Sequence, residues 1–408
     1  MPKLLQINTS VNIGSTGHIA EQINILAKRN GWDIFFAYGR RYKPSSSVAI
    51  KIGSRFNVYE HYLEHVLFDN DGLASRKATR LLVGEIEKIK PDIIHLHNIH
   101  DHWVNYKLLF EAISKNNIPI VWTQHDCWTF TGGCKHFSLI GCYQWRDKGC
   151  SKKCPNKSTA FLKSYFNKTD YQYKLKERLF TSAKNLTLVT VSKWLESIER
   201  QSFLKNQKIL TIYNGVDLIE FHRMPSGMVR DKYHIGNDKY IIGVSSIWKT
   251  YKGWYDYLKL ALIMPTDIKL VLVGLNSKQI EEAKKYGIVG ISHTENKQEL
   301  SALYSGAEAV LNLSYQESFG LTTVEGLACG TPGIVYNCTA SPELLTPETG
   351  IIVEPGNING VLHAIQSIIC NDRNEYIKAC RERAEKIFNK ENCFSKYIEL
   401  YNQSIDYK

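Results

Sequence analysis

The chain has 408 residues, 43% of them apolar and 22% charged, which excludes disordered and fibrous classes and exceeds what one hydrophobic core usually fills. No stretch approaches the roughly 18 consecutive apolar residues of a membrane span, and the start MPKLLQINTSVNIG lacks the apolar run of a secretory leader, so neither is expected. The net charge of +11 is uneven: residues 1–210 carry 31 basic and 17 acidic side chains, residues 211–408 carry 20 and 23. A first half at +14 calls for an anionic partner, whether nucleic acid, a phosphorylated ligand or an anionic membrane surface.

Short β-branched runs that barely alternate predict strands covered on both faces at Leu4–Ile7, Ile34–Tyr38, Ile93–His97, Ile120–Thr123 and Leu186–Val191. Amphipathic stretches between them, such as Ile19–Lys28 and Tyr106–Lys115, predict helices. The second half repeats the grammar. Its strands are expected at Tyr240–Val244, Lys269–Val273, Ile288–Ile291, Ala309–Leu313, Gly333–Tyr336 and Ile351–Val353. Its helices are expected at Trp254–Ile263, Lys278–Tyr286, Glu299–Tyr304, Thr322–Ala328 and Val361–Ile369, with two polar amphipathic helices over Asn374–Tyr407. Alternation in both halves implies an α/β protein of two doubly wound parallel sheets joined near Tyr213-Asn214-Gly215-Val216-Asp217. The expected division is residues 1–212, residues 213–390, and a C-terminal helix over 391–408 packing back on the first domain. Such sheets bind ligands beyond the carboxyl ends of their strands, so an interdomain cleft is the expected active site.

The segment Ser314-Tyr315-Gln316-Glu317-Ser318-Phe319-Gly320-Leu321-Thr322-Thr323-Val324-Glu325-Gly326 follows one of these strands. Glu317 falls in the loop and Glu325 inside the next helix, whose first N–H groups, Leu321 and Thr322, make an anion site. Carboxylates accept from pairs of sugar hydroxyls, so the unit can hold a phosphate and a sugar together. The plainer reading is an ordinary strand-loop-helix with two surface glutamates.

Glu317 to Glu325, with Ala328-Cys329-Gly330-Thr331-Pro332 after them, resembles the E-x7-E signature of retaining glycosyltransferase family 4, whose GT-B fold has two facing Rossmann-like domains. Asn214-Gly215-Val216-Asp217, Lys252-Gly253 and Gly14-Ser15-Thr16-Gly17 fit the same pattern, and His-Asp-x-Trp before a Cys-rich insert is similar to transferases of colanic acid, capsule and O-antigen synthesis. The resemblance implies that Glu325 takes the ribose hydroxyls of a nucleotide and Glu317 a hydroxyl of the transferred sugar. Ser318 and the backbone N–H groups of Phe319 and Gly320 lie beside that sugar, and those of Leu321 and Thr322 face the distal phosphate. Lys252 matches the lysine that neutralises the diphosphate leaving group. An arginine common in the family five or six residues earlier is replaced by Ile247 and Ser246, leaving Lys249 as the nearby cation. The loop Ile291, Ser292, His293, Thr294 is expected to face the nucleobase.

His125 is expected to project from a strand end, where the resemblance makes it a contact to the donor sugar; a structural histidine capping the strand is the alternative. Asp126 is read as support or acceptor contact. His95, His97, His100 and His102 resemble a zinc set by count, but their spacing along a strand and loop reads as cleft lining or local hydrogen bonding. Gly14 and Gly17, ahead of the first helix, suit backbone approach to the donor phosphate or to the acceptor.

Ten cysteines without a leader point to reduced thiols in a cytoplasmic protein. Cys127 opens the insert, over about residues 127–155, and Cys134, Cys142, Cys150 and Cys154 fit a structural zinc, buried thiols or disulfides. No cofactor is expected for catalysis, since the lysine and the helix end can serve where no Asp-x-Asp follows a strand. Trp128, Phe130, Phe137, Tyr143 and Trp145 with Lys152, Lys153 and Lys157 suit a membrane interface, a sugar acceptor or, taken alone, a nucleic acid.

The expected activity is transfer of a hexosyl or N-acetylhexosaminyl group from a nucleotide diphosphate sugar, UDP-linked before GDP-linked. The acceptor is a polyprenyl-diphosphate-linked saccharide at the inner face of the cytoplasmic membrane. A soluble sugar acceptor or a sugar-nucleotide epimerase is the alternative. A nucleic-acid partner is not expected, because the basic half carries an enzyme's strand-helix grammar and no nucleic-acid fingerprint.

Overall fold

A computed structural model describes residues 1–155 and 164–406. Contacts divide the chain into two units, one formed by Met1–Tyr213 and the segment from Phe394 onward, the other by Asn214–Cys393. The C-terminal segment thus joins unit 1 from Phe394, and Tyr407 lies outside the described residues.

Unit 1 is built on seven parallel strands: β1 (Lys3–Asn8), β2 (Asp33–Tyr38), β3 (Val48–Lys51), β4 (Ile93–Leu96), β5 (Ile120–Gln124), β6 (Leu186–Thr190) and β7 (Lys208–Thr211). Their order is β3-β2-β1-β4-β5-β6-β7, so the winding reverses between β1 and β4. The central strands are apolar and buried, as helices on both faces require: Leu4, Leu5, Ile7, Ile93, Ile94 and Leu96 are wholly buried. Edge strands β3 and β7 were not among the expected strands. Val48 and Lys51 are exposed, and so is Lys208, so neither segment shows a continuous apolar run.

Unit 2 repeats the plan with β8 (Lys239–Val244), β9 (Ile268–Val273), β10 (Val289–Ile291), β11 (Ala309–Asn312), β12 (Gly333–Tyr336) and β13 (Gly350–Val353). The order β10-β9-β8-β11-β12-β13 reverses between β8 and β11, and all pairings are parallel. Trp248, Trp254, Tyr257, Leu272 and Leu311 sit in its core.

The Asn-Gly-Val-Asp turn has a packing role. A Cβ on Gly215 would lie 2.2 Å from the Lys390 Cα, so only glycine allows the two backbones to meet. Val216 N–H donates to Phe388 O at 2.7 Å, Lys390 N–H donates to Val216 O at 3.1 Å, and Lys390 Nζ reaches Asp217 Oδ2 at 2.5 Å. Lys390 begins the last helix, Lys390–Asp406, whose Tyr401 hydroxyl lies 2.6 Å from Nδ1 of the buried His95 in unit 1.

Glu199, at the end of the helix Lys193–Glu199, is wholly buried with neither carboxylate oxygen hydrogen-bonded. Burial pushes its carboxyl up to about 8, opposed by Arg200. In the unfolded chain the proton leaves near the ordinary glutamate value, so folding loses stability as pH rises through the interval between the two. Glu199→Gln removes this contribution. Between pH 5.5 and 8.5, urea unfolding is expected to show stability shifting in the variant's favour by about 3 kcal/mol relative to the parent.

Candidate functional site

In an open parallel sheet the loops at a reversal of strand order diverge and leave a crevice. In unit 2 these are the loops after β8 and β11. The first closes with a 3₁₀ turn, Thr250–Lys252, ended by Gly253 at φ +75°. A Cβ there would lie 2.3 Å from Leu313 O, so glycine lets this loop run against the end of β11. Tyr315 N–H donates to Tyr251 O at 2.9 Å and ties the two loops together. Lys252 Nζ then lies 2.5 Å from Glu317 Oε1, with the two side chains 21% and 15% exposed.

The Glu317 backbone is clamped from the loop after β12. Its N–H donates to Thr339 Oγ1 at 3.0 Å, and its carbonyl accepts from Ala340 N–H at 3.2 Å. Thr339 holds φ +50°, a left-handed conformation that costs a β-branched residue about 1–3 kcal/mol. The strain falls on the residue that fixes Glu317. Nothing in the spacing of the sequence marks Thr339 for this position.

The helix Leu321–Ala328 starts at Gly320, φ +106°, with no side-chain cap, which leaves its leading N–H groups, Leu321 and Thr322, for an outside acceptor. Ser318 is half-buried in the loop before it. Phe319 is buried, 5.9 Å from the Phe388 ring, so it offers only backbone here. Glu325 Oε2 accepts from Tyr304 Oη at 2.9 Å, and burial pushes its carboxyl up to about 7. Lys249, Ser246 and Ile247 are exposed in the loop after β8, and Lys249 O accepts from Lys252 N–H at 2.9 Å. In the expected nucleobase loop, the Ile291 side chain is buried and its carbonyl accepts from Gly274 and Leu275 N–H groups. Ser292 and His293 are exposed, 3.1 Å apart, and Thr294 is half-buried.

In unit 1 the Gly14–Gly17 segment does not precede the first helix; it forms the first turn of Gly14–Arg29. Gly17 is buried where a Cβ would meet Ser10 O at 3.1 Å, a packing reason for glycine. The histidine-rich segment separates into three groups. His95 lies between Tyr401 Oη (2.6 Å) and Thr123 Oγ1 (2.7 Å). His97 Nε2 lies 2.8 Å from Gln6 Oε1 and its Nδ1 lies 3.1 Å from His125 Nε2. Since Gln6 Oε1 can only accept, His97 carries its proton on Nε2 and accepts from His125 Nε2–H, the assignment this network requires. Burial lowers all three imidazoles, His125 to about 4, so they are neutral at physiological pH. His100 differs. Burial opposes its charge, but Asp126 at 3.0 Å and Asp101 at 3.2 Å raise it to about 9. His102 joins neither set; it faces Asp71 and His65.

All ten cysteines are free thiols, so the disulfide reading is not met. The Cys150 sulfur accepts from Gly132 N–H at 3.2 Å, and burial raises its thiol, with Cys154 and Cys142 near enough to add to the shift. The aromatic residues of the insert are also corrected. Phe130, Phe137 and Trp145 are buried in an internal cluster, with Trp145 5.0 Å from Phe130 and 4.9 Å from Phe137, and Trp128 is buried against Tyr106; only Tyr143 among the five is exposed. Lys157 lies outside the described residues.

Two Rossmann-like units with these carboxylates at a strand switch point define a GT-B glycosyltransferase. The chain belongs to Glycosyltransferase Family 4, matched over residues 14–220, and residues 228–387 match Glycosyl transferases group 1. It is similar to an uncharacterized 41.2 kDa protein in the cps region of Klebsiella pneumoniae, 24% identical over 79% of this chain and 81% of that one. A putative colanic acid biosynthesis glycosyl transferase, WcaC, of Escherichia coli strain K12 is 27% identical over 37% of this chain and 39% of that one. Several other curated relatives are matched over about half their own length. Among solved structures, Anabaena Alr3699/HepE in complex with UDP superposes with TM-score 0.67 at 14% identity, covering 99% of this chain and 100% of that one.

Gly253→Ala is expected to force the turn away from Leu313, lowering stability by about 2 kcal/mol or more. Urea unfolding would check this, with Gly287→Ala as a reference: it too has positive φ, but no atom lies within 4 Å of the added Cβ.

Proposed function

We propose that this protein is a retaining glycosyltransferase that moves a hexosyl or N-acetylhexosaminyl group from a nucleotide diphosphate sugar to a polyprenyl-diphosphate-linked saccharide during surface polysaccharide synthesis. The observation that carries the proposal is the Lys252–Glu317 pair at the β8/β11 switch point, beside the uncapped start of the helix Leu321–Ala328. The UDP complex of HepE supports a UDP-linked donor, and the cps-region and colanic acid relatives support the polysaccharide context.

On this reading Glu325 accepts from the ribose hydroxyls, and the Leu321 and Thr322 N–H groups hold the distal phosphate. Lys252 balances the charge that grows on the diphosphate as the anomeric C–O bond breaks. Glu317 accepts from a hydroxyl of the sugar and orients it, and His125 contacts the same sugar as a neutral imidazole. The acceptor oxygen bonds to the anomeric carbon on the face the diphosphate leaves. The acceptor proton passes to a departing phosphate oxygen, so configuration is retained without a covalent enzyme intermediate.

Membrane association finds its support away from the cysteine insert. The helix Arg55–Phe68 buries only His61 and exposes Phe56, Tyr59, Leu63, Leu67 and Phe68, within a half of the chain carrying +14. Aromatic and aliphatic side chains on a basic unit fit an anionic bilayer.

Glu317→Gln and Lys252→Ala are each expected to lower transfer at least about 100-fold, read as nucleotide released across a panel of UDP- and GDP-sugars. Parent rates in both variants would overturn the assignment. Flotation with vesicles containing anionic lipid is expected to carry the protein; failure to float would favour a soluble acceptor. Only the Glu325 carboxylate can accept from two hydroxyls, so nucleotide affinity is expected to weaken as pH falls through about 7. Calorimetric titration should show this slope flattened in Glu325→Gln.

A further inference from the structure

The sequence Asp69-Asn70-Asp71 follows the helix Arg55–Phe68, and the histidine-rich segment contributes one residue, His102, that the networks of His95, His97 and His100 do not use. These two segments meet in unit 1. One ligand atom from each of His65, Asp71 and His102 can be chosen so that all three lie within 4.8 Å of one another. His102 Nε2 is 3.7 Å from Asp71 Oδ1, and the His65 and His102 rings are 5.0 Å apart between centroids.

These separations are too long for hydrogen bonds. His65 Nδ1 is shielded from solvent and has no hydrogen-bond partner; its nearest carboxylate oxygen, on Asp69, is 3.9 Å away. A tetrahedral ion with bonds of about 2.0–2.1 Å sets its ligands about 3.3 Å apart, within a few tenths of an ångström of the His102–Asp71 distance. Two imidazoles and one carboxylate form a set suited to first-row divalent metals.

Two further features hold the group in place. Trp128 Nε1 lies 3.4 Å from Asp71 Oδ2, the oxygen other than the one facing His102, as an outer-sphere donor to a metal-bound carboxylate would. Asp101 and His102 hold φ +74° and +64°, two successive non-glycine residues in the left-handed region, which costs about 1–3 kcal/mol each. The Asp101 conformation accompanies contacts to His100 and Lys135, and that of His102 accompanies its approach to Asp71. The three side chains are 22–30% exposed, so water can complete the coordination.

We propose that His65, Asp71 and His102 bind one divalent transition-metal ion of the zinc class. The ion fastens the helix Arg55–Phe68 to the loop after β4. The site is independent of the transferase reading, and its test does not use activity. Untagged full-length protein, stripped with chelator and re-equilibrated with Zn²⁺, is expected to retain one equivalent by elemental analysis. Co²⁺ in its place should give visible d–d absorption without sulfur-to-cobalt charge transfer. His102→Gln and His65→Gln should each weaken binding at least about tenfold and abolish the metal-dependent rise in Tm. Substoichiometric uptake by the parent, a thiolate charge-transfer band, or unchanged affinity in both folded variants would overturn the proposal. If circular dichroism shows that the variants do not fold, the parent's stoichiometry and cobalt spectrum decide alone.

Discussion

Lys252 and Glu317 are 65 residues apart in sequence and become neighbours because β8 and β11 lie side by side at the centre of one sheet. A parallel sheet puts the carboxyl ends of its strands at one edge, and a reversal of winding parts the loops there. Much of the site in unit 2 serves that adjacency. Gly253 gives the loop after β8 room beside Leu313, Thr339 accepts strain to hold the Glu317 backbone, and Gly320 starts the helix without a side chain in the way. In unit 1 the corresponding reversal brings together Gln6 from β1 and His97 from the end of β4, 91 residues apart.

Burial acts on the imidazoles of unit 1 with two outcomes. His95, His97 and His125 lose their charge to desolvation, which at His125 outweighs the pull of the Asp126 carboxylate, and remain as directional hydrogen-bonding groups. His100 is as deeply placed, but Asp101 and Asp126 flank it and Lys135 closes the cluster on Asp101, so it keeps its proton. Neighbouring histidines of one short segment therefore hold opposite charge states.

Much of the fold was legible in the sequence because strands buried on both faces must be apolar throughout; the expected central strands all fall within a residue or so of their places. Edge strands β3 and β7 were not legible, since a strand half open to water carries Lys51 or Lys208 as readily as valine. The carboxylates of unit 2 stood out by spacing within one short segment, and Lys252 through the resemblance of its Lys-Gly pair to the family pattern. Thr339, Tyr304 and Gln6 did not, because each reaches its partner through tertiary packing across 21 residues or more. The aromatic insert was misplaced for a related reason: composition alone does not distinguish a wet aromatic surface from a small aromatic core, and Trp145 lies in a core.

The last helix returns the chain to the unit in which it began. Unit 1 is translated almost entirely first, yet Nδ1 of His95 meets its partner only at Tyr401, 306 residues later. A closure of that span carries a large entropic penalty if the intervening chain is loose. Unit 2 is continuous, and its own closure fastens Lys390 to Val216 and Asp217, a few residues beyond β7. The N-terminal unit is thus completed by a segment that is translated only after the whole of the C-terminal unit.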